Sequence, residues 1–414
     1  MTAAPDSTSP SIPLERIAEA RRRGAGSVKV TPLDYSTTFS RLCGHEIHLK
    51  LENLQKTGSF KTRGALNKIQ LLDAAARARG VITASAGNHA QGVAYAASMV
   101  GVPVTVVMPE TAPYSKVNAT AGYGARVELA GRDYSEALAR ATEMAASSGA
   151  TFVHGFDDDD VIAGQATLGL EILEQLPDLD TVVVPVGGGG LIAGIIAALR
   201  AAGSRARVVA VQANGASTLL PSLREGSPHG IERVDTIADG LAVRKIGARP
   251  FAIIRGGVED AVEVSDAEIA AAILLLLERA KTVVEGAGAV GVAACLAGRL
   301  PKDAARVAVV ISGGNIDTNL LDRIINLGLV KEGRLFRFTT RVPDRPGQLQ
   351  RVVACVAACR ANIHQVWHER SQPGLPLTEV TISMEVETRG REHAVEIEHA
   401  LREAGFPVLV DARG

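Results

Sequence analysis

Short aliphatic runs alternate with helix-length amphipathic segments through about residue 330. Aliphatic runs of this length form buried strands, and strands separated by helices form parallel sheets. The predicted strands are 80–85, 102–109, 125–130, 181–186, 206–212 and 305–312. The predicted helices are 60–79, 88–100, 134–148, 163–176, 191–202 and 266–280. This alternation predicts an α/β fold with a largely parallel, doubly wound sheet.

The pattern changes after Gly333, where strands begin to follow one another. The predicted elements are strand 335–341, helix 348–360, strand 362–370, strand 377–387, helix 391–404 and strand 407–411. This βαββαβ order is ferredoxin-like. It predicts a separate domain over residues 335–414, and a length of 414 residues suits two or three domains.

Composition narrows the class of function. The chain has 44 Lys plus Arg against 45 Asp plus Glu, so no strong field attracts nucleic acid or anionic lipid. No run of about 18 apolar residues could span a membrane, and the first dozen residues indicate a loose tail rather than a signal peptide. The cysteines lack metal or disulfide spacing, which is typical of a cytoplasmic protein. We expect a small-molecule function without metal, nucleic acid or membrane.

Three predicted strand ends carry small polar turns. The turns are SAGNHAQG (85–92), GGGGL (187–191) and SGGNID (312–317). Ligands of open α/β sheets bind beyond the carboxyl ends of the strands. We therefore expect the three turns to line one binding site.

The tetraglycine turn presents backbone N–H groups at a helix N-terminus, which favours a phosphate. Gly188, Gly190 and Ala193 also satisfy the dinucleotide pattern GxGxxG/A, but the next predicted strand ends in Gln212 where a ribose-binding acid is expected. Close helix packing alone would need one or two of these glycines. A phosphate site explains all four.

The stretch GSFKTRGALN places Lys61 at the start of a predicted helix. The positive end of the helix dipole disfavours a cation there, and Arg63 lies two residues further on. Both features should lower the pKa of Lys61 and make its neutral, nucleophilic amine available. A solvated surface lysine is the alternative interpretation.

In chain order, GSFKTRGA, SAGNHAQG, GGGGL and SGGN resemble the motifs of fold-type II pyridoxal-phosphate enzymes. KLENLQ, IAGQAT, IADGLAV and VVEGAGA add a resemblance to the threonine ammonia-lyase (threonine dehydratase) family. The likeness covers about residues 30–330. It implies a tryptophan synthase β-like fold that binds pyridoxal 5'-phosphate. The large subdomain would comprise 1–54 and 155–330, and 55–154 would form a small mobile one.

The resemblance also implies a role for each matched residue. Lys61 would form the Schiff base with the cofactor, with Phe60 beside the ring. Asn88 would hydrogen-bond the cofactor's 3-hydroxyl, and Ser312 would contact the pyridine nitrogen. The phosphate would bind Gly187, Gly188, Gly189, Gly190 and Leu191. The substrate carboxylate would bind the loop of Ser85, Ala86, Gly87, Asn88 and His89.

The activity implied is β-elimination from L-threonine, also from L-serine, to release ammonia and a ketoacid. Serine racemases resemble this family but carry a serine at Ala86 and a metal-binding glutamate at Gln212. Without that hydroxyl, proton transfer should be confined to Lys61 on one face. Ala166 and Gly286 depart from the family's usual Gly and Pro. The preference between threonine and serine therefore stays open.

The segment VPDRPGQLQ, after residue 341, resembles the start of an ACT domain, which binds amino acids between copies. The implied effector residues are Asp344, Gly347, Leu349 and Asn362. Isoleucine, then valine, is the expected effector, which would fit isoleucine biosynthesis; a domain that only dimerises the chain is the alternative. The family implies a homotetramer or homodimer.

Other interpretations stay open from sequence. A serine-preferring dehydratase or another fold-type II enzyme shares the lysine and the glycine turn. The interpretation as an NAD-dependent dehydrogenase depends on the loose match to the GxGxxG/A pattern. A catalytically silent amino-acid sensor rests on the C-terminal domain. The choice between a biosynthetic and a catabolic role, and a monovalent cation near Glu285, are also open.

Overall fold

The structure, a computed structural model, describes residues 12–371 and 373–410. The predicted N-terminal tail therefore lies outside the described residues, as does the end of the last predicted strand at residue 411. The chain divides into two units between Ile316 and Asp317. Within the described residues, no helix has the length and apolar character needed to cross a membrane.

The first unit contains ten strands and thirteen α-helices among its described residues. The strands are β1 (Leu33–Tyr35), β2 (Glu46–Leu51), β3 (Val81–Ala84), β4 (Val104–Met108), β5 (Arg126–Leu129), β6 (Thr151–Phe152), β7 (Thr181–Pro185), β8 (Arg207–Ala213), β9 (Asp260–Val264) and β10 (Arg306–Ile311). The helices are α1 (Leu14–Gly24), α2 (Thr37–Cys43), α3 (Lys61–Gln70), α4 (Ala74–Arg79), α5 (Asn88–Val100), α6 (Tyr114–Gly122), α7 (Tyr134–Ser148), α8 (Asp159–Gln175), α9 (Gly190–Ala201), α10 (Leu219–Glu225), α11 (Ala248–Ile254), α12 (Asp266–Leu275) and α13 (Gly286–Leu296).

These strands form two sheets, which confirm the predicted fold class. The six-stranded sheet has the order β1-β2-β10-β7-β8-β9, and only the β1–β2 pair in it is antiparallel. The four-stranded sheet has the order β5-β4-β3-β6 and is parallel throughout. The three small polar turns at 85–92, 187–191 and 312–317 follow the carboxyl ends of the parallel strands β3, β7 and β10.

Strands β7, β8 and β10 are buried along nearly their whole length, as expected for central parallel strands covered on both faces. Alternate residues of β7 point to opposite faces, so Val182 joins the core cluster with Ile192 of α9. Gly291 of α13 packs against Val183 and Val309 on the other face. Helices therefore cover both faces of the larger sheet.

Some predicted boundaries were wrong. The predicted helix 60–79 is two helices, because Asp73 caps α4 by accepting a hydrogen bond from the Ala76 N–H. The predicted helix 266–280 changes at Leu276–Ala280 to a π-helical turn. Strands β1, β2, β6 and β9 were not predicted. Most of them are short or lie at a sheet edge, and β2 includes the buried cation Lys50, which interrupts an aliphatic pattern.

The second unit contains α14 (Thr318–Lys331), β11 (Leu335–Pro343), α15 (Gln348–Ala358), β12 (Asn362–Glu369), β13 (Glu379–Glu387), α16 (Arg391–Glu403) and β14 (Val408–Val410). From β11 onward the order is βαββαβ, as predicted. The sheet order β14-β11-β13-β12 is antiparallel at β11–β13, β11–β14 and β12–β13, which is the ferredoxin-like arrangement. Helix α14 belongs to this unit, although the predicted large subdomain extends to residue 330. The residue bounds of the three predicted domains remain predictions.

A buried ionic network fixes the start of α3. Arg63 donates from Nε to Glu52 Oε2 at 2.7 Å and from Nη1 to Glu171 Oε1 at 2.6 Å. Lys50 Nζ lies 2.9 Å from Glu171 Oε2 and 2.7 Å from the Thr31 carbonyl oxygen. Two cations thus face two carboxylates, all four side chains buried. The network joins α3 to β2 and α8.

Replacing Arg63 with leucine should strongly destabilise the protein, because Glu52 and Glu171 would keep only Lys50 as a charged partner. Breaking a buried ion pair on one side costs about 3–5 kcal/mol of unfolding free energy. Urea unfolding followed by circular dichroism measures the change. The control is Arg132→Leu, which removes an exposed i,i+4 ion pair with Glu136. It should leave the urea midpoint close to that of the wild type. An Arg63→Leu curve that coincides with the wild-type curve would contradict the role given to the network.

Candidate active site

Lys61 is the first residue of α3, and its side chain turns towards the segment that follows β6. Its Nζ donates a hydrogen bond of 2.9 Å to the Gly155 carbonyl oxygen. The same amine lies 5.1 Å from the centre of the Phe60 ring. Gly92 of α5 packs against it so closely that a Cβ there would lie 3.1 Å from the Lys61 Cβ. Lys61 is therefore held in place by its neighbour Phe60 and by two other segments of the chain.

Burial lowers the pKa of Lys61 to about 8, and the nearby Glu285 carboxylate opposes this shift. The direction matches the sequence prediction, but part of the predicted cause was wrong. The Arg63 guanidinium is directed to Glu52 and Glu171, whose charges compensate it. The neutral form of the amine is favoured by desolvation rather than by a neighbouring cation.

The loop after β10 lies beside the residues that precede Lys61. The Phe60 N–H donates to the Ser312 carbonyl oxygen at 3.2 Å, and the Gly314 N–H donates to the Gly58 carbonyl oxygen at 2.9 Å. Ser59 and Gly313 form an isolated antiparallel bridge between these two contacts. The SGGN turn and the lysine segment are thus joined by backbone hydrogen bonds, and Ser312 is buried beside Phe60.

The tetraglycine turn leads into α9, which begins at Gly190. Gly189 stands at the N-cap with φ +92° and no side chain caps the helix, so its first N–H groups point to whatever occupies the turn. The Phe156 ring packs on this turn, and a Cβ on Gly188 would lie 2.3 Å from it. Only glycine leaves room for the ring. The turn therefore adjoins the same 153–157 segment that receives the Lys61 hydrogen bond.

Asn88, the first residue of α5, connects this helix to two further segments of the site. Its Nδ2 donates to Glu285 Oε1 at 2.6 Å, and its Oδ1 accepts from Asn315 Nδ2 at 2.8 Å. Glu285 precedes α13, and Asn315 lies in the loop after β10. Burial raises the pKa of Glu285 to about 7, a shift that Asp239 enlarges and the Asn88 hydrogen bond opposes. The geometry brings all the predicted cofactor segments of the first unit together.

The loop 85–89 carries the residues predicted to bind a carboxylate. Ser85 Oγ accepts a hydrogen bond of 3.2 Å from the Gly87 N–H, which shapes the turn into α5. Ala86 packs its methyl group against the core of the smaller sheet. No side chain caps α5, so its first N–H groups are oriented towards the same space.

Two histidines near Lys61 are held in neutral forms. His89 Nε2 hydrogen-bonds the Val153 carbonyl oxygen at 3.0 Å, and burial lowers the pKa of His89 to about 3. His154 Nδ1 accepts from the Asp157 N–H at 2.8 Å, and burial lowers its pKa as well. Both rings therefore act as hydrogen-bonding groups that shape the 153–157 segment.

The donors and spaces of this site fit pyridoxal phosphate. The Lys61 amine could react with the aldehyde of that molecule, and the uncapped tetraglycine turn could bind its phosphate. The Asn88 amide has a spare N–H for its 3-oxygen. Ser59 Oγ is buried with no hydrogen-bond partner in the described chain, so a further polar atom at this place is unsatisfied by the protein. These residues could hold the cofactor.

Gln212 and two residues of the acidic stretch 157–160 form hydrogen bonds or ion pairs with protein groups. The Gln212 amide donates to the Val186 carbonyl oxygen and accepts from the Leu219 N–H, which closes the turn after β8. Asp158 caps α8, and Asp160 pairs with Lys68 at 3.0 Å. Across residues 12–371 and 373–410, no group of three His, Cys, Asp or Glu side chains could bind a metal ion.

The predicted effector residues are not assembled within one chain. Asp344, Gly347 and Leu349 follow β11 at one end of its sheet, whereas Asn362 begins β12 beside Glu387, which pairs with Leu335 at the other end. A nine-residue strand such as β11 spans about 30 Å, so one small molecule could not touch both groups within one chain. The effector role stays a prediction.

Glu285 is the site residue that the sequence assigned to no role. It lies in the VVEGAGA stretch, which carried only the family resemblance. A lone glutamate before a small-residue helix has no local signal for burial. Its proximity to Asn88 depends on α13 and α5 approaching each other across different sheets.

The comparisons with known proteins agree with this geometry. A family model described as pyridoxal-phosphate dependent enzyme matches residues 25–313. An L-threonine ammonia-lyase of Thermotoga maritima is 50% identical over 399 residues, which cover 96% of this chain and 99% of that protein. One of Geobacter sulfurreducens is 46% identical over 400 residues, covering 97% and 99%. The structure of maize serine racemase is similar with a TM-score of 0.73 and 33% identity, over 78% of this chain and 100% of that one.

The pKa of Lys61 predicts how the cofactor-free protein captures pyridoxal phosphate. Only the neutral amine attacks an aldehyde, so the rate of attachment should rise about tenfold per pH unit below 8 and level off above it. Stopped-flow absorbance between pH 6 and 10 measures this. Pyridoxine phosphate, which lacks the aldehyde, is the control, and its binding should show no such rise. A midpoint near 10.5, the ordinary value for lysine, would contradict the burial argument.

Proposed function

The chain belongs to the pyridoxal-phosphate dependent enzymes and, within them, to the threonine ammonia-lyases, and on this basis we propose that it converts L-threonine to 2-oxobutanoate and ammonia by β-elimination. The cofactor, when bound, supplies an aldehyde that binds amines covalently and a ring that accepts negative charge from the substrate Cα. Lys61, Phe60, Asn88, Ser312 and the turn from Gly187 to Leu191 would hold it.

The observation that carries this proposal is the setting of Lys61. Its amine donates to the Gly155 carbonyl oxygen and lies beside the Phe60 ring, Gly92 packs against its Cβ, and burial brings its pKa to about 8. A base with a pKa close to the working pH can both take and return a proton. Lys61 is accordingly the group that removes the α-proton of the substrate.

The remaining groups bind and orient the substrate. The N–H groups of the loop 85–89, at the start of α5, would bind its carboxylate in the manner of any helix N-terminus. Ser312 offers a neutral hydroxyl rather than a carboxylate to the cofactor ring. A neutral partner retains less negative charge on the ring, which favours expulsion of the β-hydroxyl over accumulation of charge.

Ala86 favours elimination over racemisation. A racemase must return a proton to the face opposite its lysine, and the methyl group of Ala86 carries no proton to give. L-serine has the same carboxylate and β-hydroxyl as threonine, so we propose it as a second substrate. A serine-preferring dehydratase is the alternative, and rates of ketoacid release from the two amino acids distinguish them.

The proposal also covers the regulation of the enzyme and its assembly into oligomers. The ferredoxin-like order of the second unit is that of an amino-acid-binding ACT domain. Asp344 and Asn362 lie at opposite ends of its sheet, so an effector that touches both needs a second copy of the chain. We propose a cytoplasmic homodimer or homotetramer that binds isoleucine or valine between copies.

Replacing Lys61 with alanine should reduce ammonia release from threonine by about a thousandfold or more, because the amine proposed to take the α-proton is removed. A coupled assay of 2-oxobutanoate measures the rate. The control is Lys68→Ala on the same helix, whose amine pairs with Asp158 and Asp160 and should leave the rate near that of the wild type. A Lys61→Ala variant with near-normal turnover in the absence of added amines would refute the assignment.

Isoleucine or valine should change the threonine concentration needed for half-maximal turnover of the full-length protein, and Asp344→Ala should reduce this response. Steady-state kinetics and calorimetric binding measure the coupling, since allostery is defined by a change in affinity. Asp322→Ala on α14 is the control substitution. If neither amino acid binds or alters the kinetics, the regulatory part of the proposal fails and the catalytic part is untouched.

A further inference from the structure

The side-chain amide of Asn88 is held from both sides. Asn315 Nδ2 donates to its oxygen at 2.8 Å, and its own nitrogen donates to Glu285 Oε1 at 2.6 Å. An asparagine amide has one accepting and one donating end, so two fixed partners leave it a single orientation. The direction of this chain of hydrogen bonds decides what Asn88 offers to the site.

A backbone carbonyl sets that direction. Asn315 Nδ2 also donates to the Thr57 carbonyl oxygen at 2.7 Å. A carbonyl oxygen can only accept, so this end of Asn315 must be its NH2 group. The atom of Asn88 that faces it must then be the oxygen, and the Asn88 NH2 group must face Glu285. Thr57 is itself fixed by a hydrogen bond of 2.8 Å between its hydroxyl and that of Thr62 in α3.

Two glycines make room for the arrangement. A Cβ on Gly58 would lie 2.4 Å from Asn315 Oδ1, and a Cβ on Gly313 would lie 2.2 Å from Glu285 Oε1. Any side chain at either position would displace one member of the chain. The glycines of GSFK and SGGN thus have a purpose besides forming tight turns.

Asn88 keeps one N–H for a ligand. Its NH2 group has two hydrogens, Glu285 receives one, and no second acceptor for it occurs in the described part of the first unit. The remaining hydrogen can only be donated, so the partner it selects is an oxygen with an available lone pair. An ionised 3-oxygen satisfies it better than a 3-hydroxyl whose proton points at Asn88.

We propose that Glu285 and Asn315 are positioning residues that fix the Asn88 amide as an N–H donor towards the 3-oxygen of pyridoxal phosphate. The inference rests on the role proposed above for Asn88. It assigns a function to Glu285, which touches the cofactor site through Asn88, and it explains why a buried carboxylate lies against the Asn88 amide.

The charges that face Glu285 come from several segments. Asp239 raises its pKa, whereas Lys116, the Asn88 amide and the Asn315 N–H lower it, and Glu285 in turn raises the pKa of Lys61. Burial dominates, and the pKa of Glu285 is raised from 4.5 to about 7. The stabilisation linked to this group is complete below 4.5 and is lost as pH rises through 7. A neutral replacement should therefore leave the cofactor-free protein at least as stable as the wild type at pH 8.

The test compares the dissociation constant and the visible absorption spectrum of bound pyridoxal phosphate in the wild type and four variants. Glu285→Ala and Asn315→Ala should each weaken cofactor binding by about tenfold or more, because Asn88 loses a fixed partner. Glu285→Gln should restore most of the affinity, since the glutamine oxygen can still accept from Asn88. Glu128→Gln, a carboxylate on β5 that pairs with Arg140, is the control for removing a charge.

The spectrum separates positioning from a general effect on folding. In Asn315→Ala the visible band should lose intensity in favour of the shorter-wavelength form with a protonated 3-oxygen, whereas the urea midpoint of cofactor-free Glu285→Gln at pH 8 should be at least as high as that of the wild type. Wild-type affinity and spectrum in Asn315→Ala and Glu285→Ala would overturn the inference. So would an equal loss in Glu285→Gln and Glu285→Ala. A wild-type protein that takes up no pyridoxal phosphate would instead refute the proposed function.

Discussion

The buried contact between Arg63 and two carboxylates is the interaction on which the site depends. Arg63 lies in the first turn of α3, two residues after Lys61, and residues two apart point about 200° apart around a helix. When the guanidinium is fixed on Glu52 and Glu171, the Lys61 amine is necessarily turned the other way, towards Gly155. The contacts of Arg63 therefore determine both how α3 is anchored and where the Lys61 amine points.

The first unit contains two buried clusters of ionisable side chains, which differ in how well their charges are paired. Around Arg63, two cations and two carboxylates are matched at hydrogen-bonding distance, so the charged forms persist. Around Lys61 and Glu285 there are few partners, so burial lowers the pKa of the amine to about 8 and raises that of the acid to about 7. The first cluster provides a rigid support. In the second, the pKa values of both groups lie near neutral pH.

Periodicity and turn chemistry predicted much of the fold. The central strands β7, β8 and β10 are continuous aliphatic runs because helices cover both their faces, and α7 was predicted at its observed bounds. Edge strands were missed, since a strand such as β6 has two residues and no pattern of its own. The break between α3 and α4 was missed as well, because the Asp73 cap competes with a continuous helical pattern.

The sequence by itself determined the segments of the site, because the turns with Asn88, Gly188 and Ser312 each follow the carboxyl end of a parallel strand, where ligands of open α/β sheets bind, and Lys61 starts a predicted helix. Only the tertiary structure decided what lies between these segments. It turned Arg63 away from Lys61, placed Glu285 on Asn88 and closed Gln212 into a turn. Such contacts join residues far apart in the chain, and burial, which sets the pKa of Lys61 and Glu285, is a property of the packed fold that no local pattern contains.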